Sequence, residues 1–264
     1  MRPNTAKDRF LAGQPIVNGW LSIPSSYAAE LVARQGFHAV TVDMQHGMMG
    51  FETAMTMLQA ISATDATPLV RSPSLDEPTI MRLLDAGAYG VICPQIDNAD
   101  MAARFVSACR YAPQGGRSFG PARGLLYGGA DYFDHANHHV LALAMIESQA
   151  ALDNLDAILA TPGLDGIYVG PNDLALSLGM KPGAEMGGIV ADAIARILAA
   201  TRARGLLAGI FCSSSALARQ RLAEGFHLVT PGNDANMLGL ACKTRIEETL
   251  LRQDASVATA AIGY

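Results

Sequence analysis

The sequence predicts a parallel (β/α)8 barrel, a TIM barrel built as a single domain, and three observations carry that prediction. Eight short apolar, β-branched runs recur along 264 residues, separated by stretches whose apolar residues fall at helical spacing. The runs are continuously apolar rather than alternating, which means that both faces of the sheet are covered. One helix-to-strand junction also appears twice: Gln35-Gly36-Phe37-His38-Ala39-Val40-Thr41 is echoed by Glu224-Gly225-Phe226-His227-Leu228-Val229-Thr230. Strands alternating with helices pair in parallel through crossovers, and eight such units in about 250 residues match the size of a barrel. The alternative is a doubly wound open sheet, whose dinucleotide-binding form needs a G-x-G-x-x-G turn after an early strand; the chain has none.

Taken in order, the predicted strands are Ile16–Ser22, Ala39–Gln45, Pro68–Arg71, Gly90–Ile96, Val140–Glu147, Gly166–Gly170, Leu207–Cys212 and His227–Pro231. Between them the spacing predicts helices over Ser26–Gln35, Phe51–Ala63, Thr79–Ala86, Ala99–Tyr111, Ala191–Arg204 and Ser215–Glu224. Several stop at Gly36, Gly87, Gly205 and Gly225, where glycine closes a helix in the left-handed conformation. Ala112–Asn137 is too long for an ordinary connection and is rich in glycine, so it is expected to be a functional or assembly loop. Residues 1–252 form the barrel domain in this reading, and 253–264 an Ala-rich tail with no period.

Composition narrows the function. With 19 Lys and Arg against 24 Asp and Glu, the chain has no basic excess to neutralise a phosphate backbone, so nucleic acid and anionic membrane are not expected as partners. Small molecules are. No apolar run is long enough to span a bilayer and the first twenty residues lack the features of a secretory signal, so a cytoplasmic protein is expected. Cys93, Cys109, Cys212 and Cys242 are far apart with no C-x-x-C pair, which argues for core packing rather than zinc or disulfides. Only Lys7, Lys181 and Lys243 are lysines.

In such a barrel the reacting groups come from the carboxyl ends of the strands. Four strands end in something ionisable: Asp43-Met44-Gln45-His46 after the second, Arg71 on the third, Glu147 on the fifth and Asn172-Asp173 after the sixth. Glu147 and Asp173 end adjacent strands, where two carboxylates sharing a cavity repel unless a proton or cation lies between them. A divalent cation of the magnesium or manganese type suits two hard oxygen donors, with cobalt also possible, while either carboxylate alone could simply cap the following helix. His46 is the titratable nitrogen at this end, since His38 and His227 precede their strands, and is the natural general base. His135, His138 and His139 read as a solvated helix end. Arg71 puts a permanent cation in the cavity, able to grip a carboxylate or stabilise an enolate. Asp85 sits near a helix C-terminus, where the macrodipole disfavours a carboxylate, which suggests a partner such as His46.

At this point the pattern resembles the HpcH/HpaI aldolases, metal-dependent class II pyruvate aldolases. The resemblance spans nearly the whole chain and rests on Val42-Asp43-Met44-Gln45-His46-Gly47, Pro68-Leu69-Val70-Arg71, Leu84-Asp85-Ala86-Gly87-Ala88-Tyr89-Gly90-Val91, Met145-Ile146-Glu147 and Gly166-Ile167-Tyr168-Val169-Gly170-Pro171-Asn172-Asp173-Leu174. It implies His46 as base, Arg71 as enolate stabiliser, Asp85 as the group that raises histidine basicity, and Glu147 and Asp173 as metal ligands. It also implies a last helix, here Asn233 to Leu251, exchanged between protomers, and a homo-oligomer, a hexamer. Two positions depart from the pattern: Met145 stands where many relatives have a substrate-touching Gln, and Gln45 is neutral where others carry Glu. Substrate contact is assigned to Arg71, Met145, Gly170, Pro171, Asn172 and Trp20, with Met48 and Met49 as further candidates for an apolar wall.

The reaction implied is reversible cleavage of a 4-hydroxy-2-oxo acid to pyruvate, or a related 2-oxo acid, and an aldehyde through a metal-stabilised enolate. Two alternatives stand beside it. A carbon–carbon lyase of the citrate-lyase or malyl-CoA-lyase type would need a basic groove for its nucleotide, for which only Arg117 and Arg123 speak; a non-catalytic keto-acid-binding barrel would have no use for His46. A Schiff-base mechanism needs an amine in the barrel, and Lys181 is the one lysine near a strand end.

Overall fold

The computed structural model describes residues 1–183 and 187–251; the tail at 253–264 lies outside the described residues. Eight parallel strands close into a barrel in sequence order. They are β1 (Ile16–Leu21), β2 (Ala39–Asp43), β3 (Thr67–Arg71), β4 (Gly90–Cys93), β5 (Leu141–Ile146), β6 (Gly166–Val169), β7 (Leu207–Phe211) and β8 (Leu228–Thr230). All eight predicted strands are present, several of them ending one to three residues earlier than expected.

The helices are α1 (Thr5–Leu11), α2 (Ser26–Ala33), α3 (Phe51–Ser62), α4 (Glu77–Asp85), α5 (Ala99–Cys109), α6 (Ala122–Gly128), α7 (Tyr132–His139), α8 (Gln149–Asp153), α9 (Leu155–Leu159), α10 (Pro171–Ser177), α11 (Gly188–Ala203), α12 (Ser215–Glu224) and α13 (Asp234–Leu251). Short polar side chains start many of them: Ser25, Asp76, Asn98, Ser148 and Ser214 each accept an N–H of the first turn, satisfying a donor the helix cannot pair itself. No helix of the described residues is long and apolar enough to cross a membrane.

Two apolar layers follow from the pleat. Side chains pointing inward, among them Ile16, Leu69, Ile92, Leu143, Tyr168 and Leu228, fill the barrel; those pointing outward pack with the helices in the larger cluster. The interior also carries a polar layer, in which Tyr168 Oη meets Thr230 Oγ1 at 2.7 Å and the Asn18 amide spans Thr230 at 2.9 Å and Thr41 at 3.1 Å. The amino-terminal end is plugged by α1, an element absent from the sequence prediction, through Ala6 and Phe10.

The repeated junction does the same work twice. Gly36 and Gly225 take positive φ (91° and 109°), and the histidine two residues on turns its ring to the backbone: His38 Nδ1 accepts Val17 N–H, and His227 Nδ1 accepts Ala208 N–H, both at 3.0 Å. Both histidines therefore lie at the amino-terminal end, as expected. The segment 112–137 departs from expectation, since it carries α6 and most of α7 rather than an open loop. Its glycines serve close approach: a Cβ on Gly128 would stand 2.5 Å from the Tyr132 ring. The three histidines at 135, 138 and 139 do occupy the last turns of α7.

Candidate active site

A cavity of about 350 Å³ opens at the carboxyl end of the strands, lined in part by Trp20, His46, Arg71, Met145, Gly170, Pro171, Asn172 and Asp173. Its organising group is Asp43, quoted in the sequence motif without a role. Strand register sets Asp43 opposite Arg71, and the guanidinium grips the carboxylate at two points, Nε to Oδ1 at 2.8 Å and Nη2 to Oδ2 at 2.5 Å. Asp43 also accepts the Trp20 indole N–H at 3.1 Å and the backbone N–H groups of Gln45 and His46 at 3.0 and 3.2 Å. Burial pushes the Asp43 carboxyl upward, but the hydrogen bonds and charge of Arg71, with Trp20 and His46, outweigh it and hold the carboxyl below the usual range. One carboxylate thus fixes the arginine and folds the turn that carries the histidine. The Arg71 guanidinium also lies over the Trp20 ring, 4.9 Å from its centre, and Trp20 stacks on Tyr168 at 5.4 Å.

Glu147 follows β5 and is 4% exposed; it does not line the cavity itself but lies against Gly170, which does. Its Oε1 accepts the Gln95 N–H at 2.8 Å, while Oε2 is buried without a hydrogen-bond partner. Burial pushes its carboxyl up to about 7, with the charges of Asp173 and Asp97 adding to the rise against the Gln95 hydrogen bond and Arg71. The Glu147 side chain packs against Gly170, where a Cβ would stand 2.3 Å from Oε2. Gln95 itself takes φ 54°, an unusual conformation for a non-glycine residue.

Neither carboxylate is a helix cap. The residue that caps α8 is Ser148, not Glu147, and α10 starts at Gly170 with no side-chain cap bond, leaving Asp173 in its first turn. An unsatisfied, desolvated carboxylate oxygen beside a second carboxylate fits a hard divalent cation. Among the described residues no third His, Cys, Asp or Glu joins them, so Glu147 and Asp173 would hold such an ion with most of its coordination left to water and substrate.

Other expected residues divide. Met145 is buried in the cavity wall beside Gly170, and Asn172 lines the cavity while its Oδ1 accepts the Gly183 N–H at 3.0 Å. Met48 is 84% exposed and Met49 packs into the helix layer, so neither forms an apolar wall. Asp85 does not reach His46 within the chain. It ends α4 at the amino-terminal side of the barrel, where Arg117 Nη2 donates to it at 2.7 Å. That ion pair answers the unfavourable dipole; burial still raises the Asp85 carboxyl above its ordinary range despite Arg117. Neither arginine is free to form the basic groove that the acyl-CoA lyase alternative would need: Arg117 is buried against Asp85 and Tyr132, and Arg123 is spent on Ala86 O and Ser62 Oγ. No lysine lines the cavity, and Lys181 is exposed.

Sequence reasoning missed Asp43, Gln95, Asp234 and the two asparagines beside it. A carboxylate ending one strand opposite an arginine ending the next was a usable signal for Asp43. For Gln95 there was none, because its contribution is a backbone N–H.

Fold and site together define a barrel enzyme whose acid–base, cationic and carboxylate groups gather at the carboxyl ends of the strands. The chain belongs to the HpcH/HpaI aldolase/citrate lyase family, whose model matches residues 19–239. It is 44% identical over 246 residues to a hydroxypyruvate/pyruvate aldolase of Rhizorhabdus wittichii, covering 93% of this chain and 98% of that one. A 4-hydroxy-2-oxo-heptane-1,7-dioate aldolase of Salmonella arizonae is 37% identical, covering 89% and 90%. Among solved structures, an HpcH/HpaI aldolase/citrate lyase family protein of Burkholderia cenocepacia superposes with a TM-score of 0.88 at 34% identity, covering 93% of this chain and 99% of that one.

Proposed function

We propose that this protein is a divalent-metal-dependent aldolase that reversibly cleaves 4-hydroxy-2-oxo acids to an aldehyde and pyruvate or a close relative such as hydroxypyruvate. The observation that carries the reading is the buried, partnerless Oε2 of Glu147, which packs against Gly170 of the cavity wall and feels the charge of Asp173, in the same mouth as His46 and the Arg71–Asp43 pair. The activities named for the relatives in Rhizorhabdus and Salmonella support the substrate class.

Glu147 and Asp173 would hold the ion, magnesium or manganese, with cobalt a further possibility. When bound, it supplies a Lewis acid for the 2-oxo acid half of the substrate. The chain's own groups do the rest. His46 takes the proton of the 4-hydroxyl; the C3–C4 bond breaks, and its electron pair passes toward the 2-oxygen. Arg71 holds its positive charge beside the cavity, where negative charge grows in the transition state, and Asp43 keeps it there. The proton returns from His46 to C3, which leaves pyruvate and the aldehyde. Gly170, Pro171, Asn172, Met145 and Trp20 shape the wall around the 2-oxo acid. Any action of Asp85 on His46 requires a second copy of the chain, in keeping with a homo-oligomer such as a hexamer.

The test is pyruvate release from 4-hydroxy-2-oxoheptanedioate after treatment with EDTA and after return of magnesium or manganese. Activity lost and regained supports the reading. Activity indifferent to EDTA overturns the assignment of Glu147 and Asp173.

A further inference from the structure

The cavity wall after β8 is held by a single carboxylate. Asp234, in the first turn of α13, is 7% exposed. It accepts the Ser22 N–H at 2.8 Å, the Ser22 hydroxyl at 2.9 Å and the Ile23 N–H at 3.1 Å, all from the turn after β1. It also accepts the Ala235 N–H at 2.8 Å. Beyond this point the helix stands clear of the barrel, every side chain from Ala235 to Leu250 being exposed. The seat of α13 against the barrel therefore depends on the bonds of Asp234, and the residues on either side of it move with that seat.

Those residues are Asn233 and Asn236, and both line the cavity. Asn233 Oδ1 accepts the Asn236 N–H at 2.8 Å, which leaves the Asn233 amide nitrogen and the whole Asn236 side-chain amide without a hydrogen-bond partner among the described residues. Glu147 and Asp173 follow β5 and β6, with β7 between β6 and β8 in the ring. The asparagines and Asp173 line one cavity, so in the aldolase reading a substrate with its 2-oxo acid half at the two carboxylates would have its other half to turn toward the asparagines. Neutral amides donate to and accept from hydroxyl and carbonyl groups and offer nothing to an alkyl chain.

We propose that Asp234 is a positioning residue that presents the Asn233 and Asn236 amides to the aldehyde half of the substrate, giving the site a preference for aldehydes with a neutral polar group, such as a hydroxyl, next to the reacting carbonyl. This rests on the aldolase reading. It adds to that reading a residue that touches no reacting atom and a class of acceptor.

The test compares addition of pyruvate to hydroxyacetaldehyde and to propanal, which have equal numbers of heavy atoms. Exchange of the pyruvate methyl protons in D2O reports the 2-oxo acid half alone. The wild-type protein is expected to favour hydroxyacetaldehyde at least about tenfold in kcat/KM, because a site built to hydrogen-bond a hydroxyl discriminates against its absence. Asn236→Ala, at an exposed position with no internal bond, is expected to cut that preference about three- to tenfold through KM, the scale of one neutral hydrogen bond, with exchange within about twofold of wild type. Asp234→Ala should do the same or more, and Asp234→Asn, which keeps an acceptor, should recover part of it. Absence of a wild-type preference, a preference unmoved by Asn236→Ala, or exchange lost in step with addition would each overturn the proposal. If the wild-type protein exchanges no pyruvate protons with magnesium or manganese, the aldolase reading falls, and this inference with it.

Discussion

Arg71 and Asp43, directly opposite each other on neighbouring strands, are joined by two hydrogen bonds of 2.8 and 2.5 Å in a part of the barrel that solvent scarcely reaches. Removing one partner of a buried pair leaves the other as an uncompensated charge. Asp43→Ala is therefore expected to lower stability by about 3 kcal/mol, measured by denaturant unfolding. It should also lower kcat/KM by roughly a hundredfold or more, since Arg71 and the His46 turn lose their anchor together. Asp43→Asn, which keeps the shape, should fall between. An Asp43→Ala protein with wild-type kcat/KM would remove Asp43 from the machinery.

Glu147 has its carboxyl pushed up to about 7. A folded-state value above the unfolded one means that the metal-free protein is most stable when Glu147 is protonated, and loses that stability as pH rises from about 4.5 through 7. The loss is on the order of 3 kcal/mol. Glu147→Gln is expected to remove this slope, so that at pH 8 the variant without metal melts above the wild-type protein without metal. Magnesium or manganese should raise the melting temperature of the wild-type protein and leave the variant unchanged. Parallel pH curves for the two metal-free proteins would count against the assignment.

His46 and Lys181 separate the two possible aldolase mechanisms. His46→Ala is expected to reduce pyruvate release by about a hundredfold or more, the usual scale of a lost general base. Lys181→Ala should change it by less than about twofold, because an exposed amine outside the cavity cannot form the Schiff base. Borohydride treatment in the presence of pyruvate should leave no covalent adduct, checked by mass spectrometry of the intact chain.

His38 and His227 add pH sensitivity at the opposite end. Burial, with Arg9 beside one and Arg202 beside the other, lowers both rings below their ordinary value. Their unprotonated Nδ1 atoms accept backbone N–H groups. Stability from these rings is complete above about pH 6.5 and is lost as pH falls below it, since the unfolded chain takes up the protons more readily. Replacing either by Ala should destabilise the protein by about 1–3 kcal/mol at pH 8 and flatten the loss below pH 6.5. An undiminished acid slope in the double variant would assign it to other groups.

The barrel was legible because its signals are local: apolar runs at strand length, helical spacing between them, and a repeated Gly-Phe-His junction that proved to be one structural device used twice. That His46, Arg71 and Asp173 line the mouth was legible for a related reason, since a residue at the carboxyl end of a barrel strand tends to face it; Glu147 lies instead against Gly170 of its wall. The helices within 112–137 were not legible. Gly124 and Gly128 read as loop residues, and only the Tyr132 ring that packs against them shows that they are there for space.

Order along the chain determined the fold and the ionisable groups at its open end, because strand period and strand endings are properties of short segments. Pairing was decided by tertiary structure. Asp43 with Arg71 depends on the register of two strands, Glu147 with Gln95 on a backbone N–H from the turn after β4, and Asp234 with Ser22 on closure of the ring between β8 and β1. Asp85 shows the same division: its unfavourable place on a helix was visible in the sequence, but which cation would answer it, Arg117 rather than His46, depended on which end of the barrel each residue reached.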